Sequence, residues 1–170
     1  KTTDINYLNG DIFFFSLQVV KDGKKVILDT VQLNAVSDGN QNRLVLKSEL
    51  MNANVEGKYQ LTNLASAFIN QINKYYAFGE VKNIPPQRIK FSATIYNPKF
   101  LSEFVPSLTQ FSPSHINGLL DTQKDSLLMN AVFPKVNYSN FNLDSIKLNV
   151  KNNGNKLDYK LLINSVQHPS

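Results

Sequence analysis

The chain has 170 residues, with 18 basic against 13 acidic side chains, two histidines and no cysteine. That length suits one domain, and 42% apolar residues suffice for its core without disulfides or a cysteine-based zinc site. The +5 excess comes from lysines scattered from Lys1 to Lys160, with Arg43 and Arg88 the two arginines; nucleic-acid binding calls for clustered basic residues instead.

No apolar run approaches the roughly 20 residues of a membrane helix. The start at Lys1 and the stop at Pro169-Ser170, without a recognisable signal peptide or anchor, read as the ends of an excised fragment.

In chain order, residues 11–20 (DIFFFSLQVV) place Phe13, Phe15, Leu17 and Val19 on one face and predict a strand. Asp22-Gly23 supplies the positive φ of a tight hairpin turn. Strands follow at 25–36 and 43–51, around Ser37-Asp38-Gly39-Asn40, and a strand through 55–61 completes an antiparallel meander. Residues 63–76 change period: Leu64, Phe68, Ile72 and Tyr75 recur at helical spacing, with Thr62 or Asn63 as N-cap. After the extended Ile84-Pro85-Pro86 loop, 88–96 alternates Ile89, Phe91, Ala93 and Ile95 with polar residues, as a half-buried strand does. Asn97-Pro98 opens a short helix through 108, with Phe100, Phe104 and Leu108 on one face. Further strands are expected at 115–121, 126–133, 143–151 and 156–166, the last two around Asn152-Asn153-Gly154-Asn155.

The most specific signal within the sequence is an internal repeat. Leu28-Asp29-Thr30-Val31-Gln32-Leu33-Asn34 matches Leu143-Asp144-Ser145-Ile146-Lys147-Leu148-Asn149, and the same offset of 115 positions (28 to 143) carries Gly39 onto Gly154 and Leu46 onto Leu161. Two related hairpin units are therefore expected, at about 25–61 and 115–166, joined by a helix-containing segment 62–114.

Residues for catalysis are few. His115 follows Pro113-Ser114 at a strand start, His168 lies near the chain end, and neither has a ligand-spaced partner, so no metal or cofactor site is expected. Ser48 with Asp29, or Asp144 with Asp158, would be the catalytic pairs to imagine. Asp29 and Asp144 occupy equivalent repeat positions, which fits a strand-end structural role better than a unique active site. The glycines are read as turn residues without a phosphate-binding pattern, and Asn137-Tyr138-Ser139 matches a glycosylation sequon. The expectation is a non-enzyme.

The apolar strand residues Phe13, Phe15, Leu17, Val31, Leu33, Leu46, Leu127, Met129, Phe133, Leu148 and Leu161 admit two readings. They form an ordinary core packed by the helices, or they line a trough open to acyl chains, where each buried methylene contributes about 0.8 kcal/mol. Cut sheet edges would also favour self-association through exposed strands.

Several segments resemble a known family. Leu28-Asp29-Thr30-Val31-Gln32-Leu33, Arg43-Leu44-Val45-Leu46-Lys47-Ser48 and Ala53-Asn54-Val55-Glu56-Gly57-Lys58-Tyr59 form one set. Ile116-Asn117-Gly118, Asn142-Leu143-Asp144-Ser145-Ile146-Lys147-Leu148 and the Gly154-Asn155 turn leading to Leu157-Asp158-Tyr159 form another. In strand rhythm and short motifs they resemble the C-terminal region of the translocation and assembly module family TamB of Bacteroidota, within the AsmA-like group.

The resemblance implies a mainly β fold: an antiparallel sheet of repeated hairpins curled into a trough, or β-taco. It implies a fragment of a long periplasmic protein anchored in the inner membrane and reaching the outer one. It further implies guidance of phospholipid through an apolar groove, or support of outer-membrane protein translocation and assembly beside a β-barrel partner. The alternative is a structural module that docks a partner protein by an exposed strand edge. The two expected helices depart from a pure trough.

Overall fold

The computed structural model describes residues 4–77, 79–96, 99–153 and 155–168. A single antiparallel sheet takes up most of the chain. Its strands are β1 (Gly10–Lys21), β2 (Lys24–Ser37), β3 (Asn42–Ser48), β4 (Met51–Lys58), β5 (Arg88–Ile95), β6 (Leu108–Phe111), β7 (Ser114–Asp121), β8 (Ser126–Tyr138), β9 (Phe141–Asn153), β10 (Lys156–Leu162) and β11 (Ser165–Gln167). Two short helices interrupt them, α1 (Leu64–Asn73) before β5 and α2 (Lys99–Phe104) after it.

The spatial order is β1-β2-β3-β4-β5-β7-β8-β9-β10, with β6 pairing β8 and β11 pairing β9 beyond the ends of their neighbours. The sheet is open, and β1 and β10 end its order.

Local sequence explains most boundaries. The β1–β2 hairpin turns on Asp22 (φ 51) and Gly23 (φ 75), the two successive positive φ values of a tight turn. Ser37 to Gln41 closes the next hairpin, where Asp38 Oδ1 accepts from the backbone N–H groups of Asn40 at 2.8 Å and Gln41 at 2.7 Å. Those bonds hold the Asp38 carboxyl below its ordinary range, Gln41 contributing most.

The expected strands 43–51 and 55–61 are shifted: the chain turns at Glu49-Leu50 and β4 already starts at Met51. Ser48 Oγ both donates to the Met51 carbonyl and accepts from the Met51 N–H at 3.1 Å, clamping that turn.

The helix read over 63–76 is shorter. A 3-10 turn at Leu61–Asn63 precedes α1, and the Asn63 side chain makes no capping bond, donating instead to Gln60 Oε1 at 2.5 Å. The Asn97-Pro98 start expected for the second helix lies outside the described residues, as does Gly154. Leu108, read as the end of that helix, instead begins β6. The strand expected over 156–166 breaks at Ile163-Asn164, after which β11 pairs with β9 through Ser165 and Asp144.

Glycine also departs from the turn reading: Gly57 and Gly118 lie inside β4 and β7. A β-carbon at either would strike backbone, the Arg88 carbonyl at Gly57 and the Leu128 carbonyl at Gly118.

The core sits between α1 and one face of the sheet. Tyr59, Ala67, Ile89, Leu120 and Leu127 are buried together, with Leu64 and Phe68 of α1 and Val55, Phe91, Val150 and Leu157 packed around them. A polar latch holds the helix to the β7–β8 turn. Gln71 Nε2 and Lys74 Nζ both donate to Asp125 Oδ1, at 2.7 and 2.6 Å.

The repeat segments form the β2–β3 and β9–β10 hairpins, in unlike settings. Leu46 is half-buried on an interior strand, whereas Leu161 is 54% exposed on the edge. Their Asp residues play different local parts, since the ladder skips Asp29 itself but pairs Asp144 with Lys135 and Ser165. Pairing along β1–β2 skips Ser16 (φ 53) and Asp29, and pairing along β8–β9 skips Pro134 and Ser145 (φ 54). Both motifs thus lie where a long hairpin is interrupted and a neighbouring strand ends. The Asp29 N–H donates to Glu49 Oε1 at 2.9 Å, and Ser165 Oγ donates to Asp144 Oδ2 at 3.0 Å.

Candidate functional site: the apolar face of the sheet

Directly opposed residues of an antiparallel ladder project on the same side, so the registers define rows that run across the strands. One row contains Ile12, Leu33, Leu46, Ala53, Ala93, Ile116, Ala131, Leu148 and Leu161, each opposite the next. All nine are apolar, one from every strand of the sheet order. The parallel row beneath it, Ala35-Leu44-Val55-Phe91-Gly118-Met129-Val150-Tyr159, carries Val55, Phe91 and Val150 into the core under α1.

None of the nine residues of the first row belongs to that core cluster. They form an apolar stripe beyond the helix. Ala131 is buried, Ile12 and Leu161 at the two ends are exposed, and the other six are half-buried. Ala53 and Ala93, neighbours at the centre of the row, keep it low where the ends carry leucine and isoleucine.

Eight of the eleven residues singled out in the sequence share this face: Val31, Leu33, Leu46, Leu127, Met129, Phe133, Leu148 and Leu161. Leu127 and Met129 belong to the lower rows near α1, whereas Leu33, Leu46, Leu148 and Leu161 belong to the stripe. Leu17 pairs with the buried Leu28 beyond the Ser16 interruption.

Phe13 and Phe15 are on the opposite face. They pair with Gln32 and Thr30, and Gln32 continues to Lys47. The residues of β1 that share the apolar face are Ile12 and Phe14, opposite Leu33 and Val31. Alternation alone picked the wrong register because 12–15 is an unbroken apolar run. Ala53, Ala93, Ile116 and Ala131 were also missed as part of one stripe. Their common signal, alternation in step with flanking strands, emerges only once pairing partners are known.

The other face is more polar, although Val36, Val45, Leu119 and Leu128 also lie on it. Its central row runs Asn34-Val45-Asn54-Ser92-Asn117-Asn130-Asn149-Lys160. Asn149 Nδ2 donates to Asn130 Oδ1 at 2.7 Å, and Asn130 Nδ2 to Asn117 Oδ1 at 3.4 Å. Lys90 pairs with Glu56 at 3.0 Å, which holds the Glu56 carboxyl below its ordinary range. A hollow of about 470 Å³ on this side is bordered by Lys47, Asn52, Ser92, Thr94, His115 and Asn117 among others.

The imagined catalytic pairs are not assembled. Ser48 Oγ is committed to Met51, and Asp144 to Ser165. Asp158 lies on edge strand β10 opposite Lys151. His115 Nδ1 shares a 3.0 Å hydrogen bond with Thr94 Oγ1, and His168 lies edge-on to Phe141 with ring centroids 5.3 Å apart. Among the described residues no group of three His, Asp or Glu side chains gathers as a metal site would require, and no helix is long and apolar enough to cross a membrane.

No known protein family, curated protein or solved structure matches this chain.

Proposed function

We propose that this chain is a non-enzymatic segment of a periplasmic envelope protein whose apolar sheet face guides phospholipid acyl chains between membranes. The observation that carries the reading is the stripe from Ile12 to Leu161: nine apolar residues in line, uninterrupted by a polar side chain and outside the core under α1. An acyl chain laid along it crosses the strands and exchanges water for apolar surface, at about 0.8 kcal/mol for each methylene buried. Curling of the open sheet around that stripe, as in a trough, would deepen the contact. The likeness to the TamB family in strand rhythm points to the same handling of lipid, or of outer-membrane protein clients beside a β-barrel partner.

Native mass spectrometry of the protein purified from a bacterial envelope extract tests this. Bound phospholipid that is lost from Leu161→Asp supports the groove. Wild-type protein that never carries lipid rejects it and favours a module that docks protein partners by a strand edge.

A further inference from the structure

The two ends of the sheet order are differently defended. β10 is seven residues long and bears Lys156, Asp158 and Lys160, and its line breaks at Ile163-Asn164 before β11. Charges and interruptions of this kind keep an edge strand from pairing with another chain. β1 is twelve residues long, and its stretch 12–20 contains no charge, proline or glycine, its one interruption being Ser16 (φ 53) at the middle of the strand. Apolar side chains are exposed on both of its faces, Ile12 and Phe14 on one, Phe13 (50%) and Phe15 (73%) on the other. The Phe13 and Phe15 rings stack 6.3 Å apart on the face opposite the apolar stripe. They contribute nothing to the core under α1. Such a strand is a template for strand addition.

Charge at its two ends selects the occupant. β1 has Asp11 near its start and ends at a hairpin tip where Lys21, Lys24 and Lys25 outnumber Asp22. An antiparallel second copy sets the Asp11 end of each strand against the basic tip of the other, twice in one dimer, whereas a parallel copy sets like against like. We propose that β1 is a homotypic docking edge, along which two copies of this chain pair antiparallel about a two-fold axis. The phenylalanine-rich half of each strand, 12–15, then lies against the Leu17–Val20 half of the other, and the association closes at two. The inference is independent of lipid binding.

Sedimentation equilibrium of the whole chain at micromolar concentrations tests it. The expected result is a monomer–dimer equilibrium without larger species. Phe15→Lys should weaken it about tenfold or more, by placing charge on the edge, and Leu161→Lys on β10 should leave it unchanged. Asp11→Lys should also weaken it, and the exchange Asp11→Lys with Lys21→Asp should restore it, with the thermal midpoint of each variant checked because Asp11 accepts from Asn34 Nδ2 at 3.0 Å. Three results would overturn the proposal: a monomer throughout, polymers that Leu161→Lys abolishes, or a charge exchange that fails to restore the dimer.

Discussion

The ring of Phe91 lies against Gly118, its cross-strand partner on β7, so closely that a β-carbon there would run into the ring and the Leu128 carbonyl. The same ring meets Phe68 of α1 edge-on, with centroids 5.3 Å apart at 79°. Glycine in the strand therefore makes the seat for the phenylalanine that holds the helix.

Gly118→Ala is expected to destabilise the fold by about 1–3 kcal/mol through overpacking, read as a lowered midpoint in thermal or urea unfolding. Because Gly118 and Phe68 act through one ring, the double variant Gly118→Ala with Phe68→Ala should lose less than the sum of the single losses. Additive losses would disconnect the glycine from the helix.

The unlike exposure of Leu46 and Leu161 decides which substitution reports on the stripe. Leu161→Asp at the edge should keep the cooperative melt within about 1 kcal/mol while removing bound lipid. Leu46→Asp, half-buried between β2 and β4, should cost several kcal/mol and so mixes folding with binding. Lys47→Asp, projecting to the more polar face, should change neither. Loss of lipid from Lys47→Asp would place the binding surface on the other side of the sheet.

Asp125 should give the α1 latch an acid sensitivity. The Lys74 hydrogen bond and then that of Gln71 hold its carboxyl below the ordinary aspartate range, so the folded state gives up this proton more readily than the unfolded chain. The stabilisation is present above about pH 5 and is lost as pH falls below about 4, through the lowered folded value. Lys74 is 44% exposed, and Lys74→Ala should cost under about 1 kcal/mol. Asp125→Ala should cost more, about 1–3 kcal/mol, because it leaves the buried Gln71 amide unpaired. Unfolding measured against pH should then flatten for Asp125→Asn at the acid end.

Tyr59 provides an alkaline marker of the same core. Its hydroxyl donates to the Val55 carbonyl at 3.3 Å, and burial pushes its ionisation up to about 12. The neutral form is favoured by folding, so its contribution is present below about pH 10 and lost as pH rises toward the folded value. Ultraviolet titration of the seven tyrosines should show a late step that Tyr59→Phe removes.

Much of the chain's architecture was decided locally. Asp22-Gly23 can adopt two successive positive φ values, so the first hairpin follows from the residues themselves. The alternation of Ile89, Phe91, Ala93 and Ile95 against Arg88, Lys90, Ser92 and Thr94 sufficed to make β5 a half-buried strand, and the helical period of Leu64 and Phe68 placed the face of α1.

Register and neighbours were decided only by the tertiary structure. The run 12–15 is apolar at every position, so either face could have been the inner one until pairing with Leu33 and Val31 chose Ile12 and Phe14. Ala53, Ala93 and Ala131 mark no site by themselves, since small apolar residues fit many settings; nine pairing strands align them with Leu33, Leu46 and Leu148 into a stripe. Leu46 and Leu161 are alike in sequence context and differ in exposure because β3 has neighbours on both sides and β10 on one, a long-range fact that no local pattern encodes.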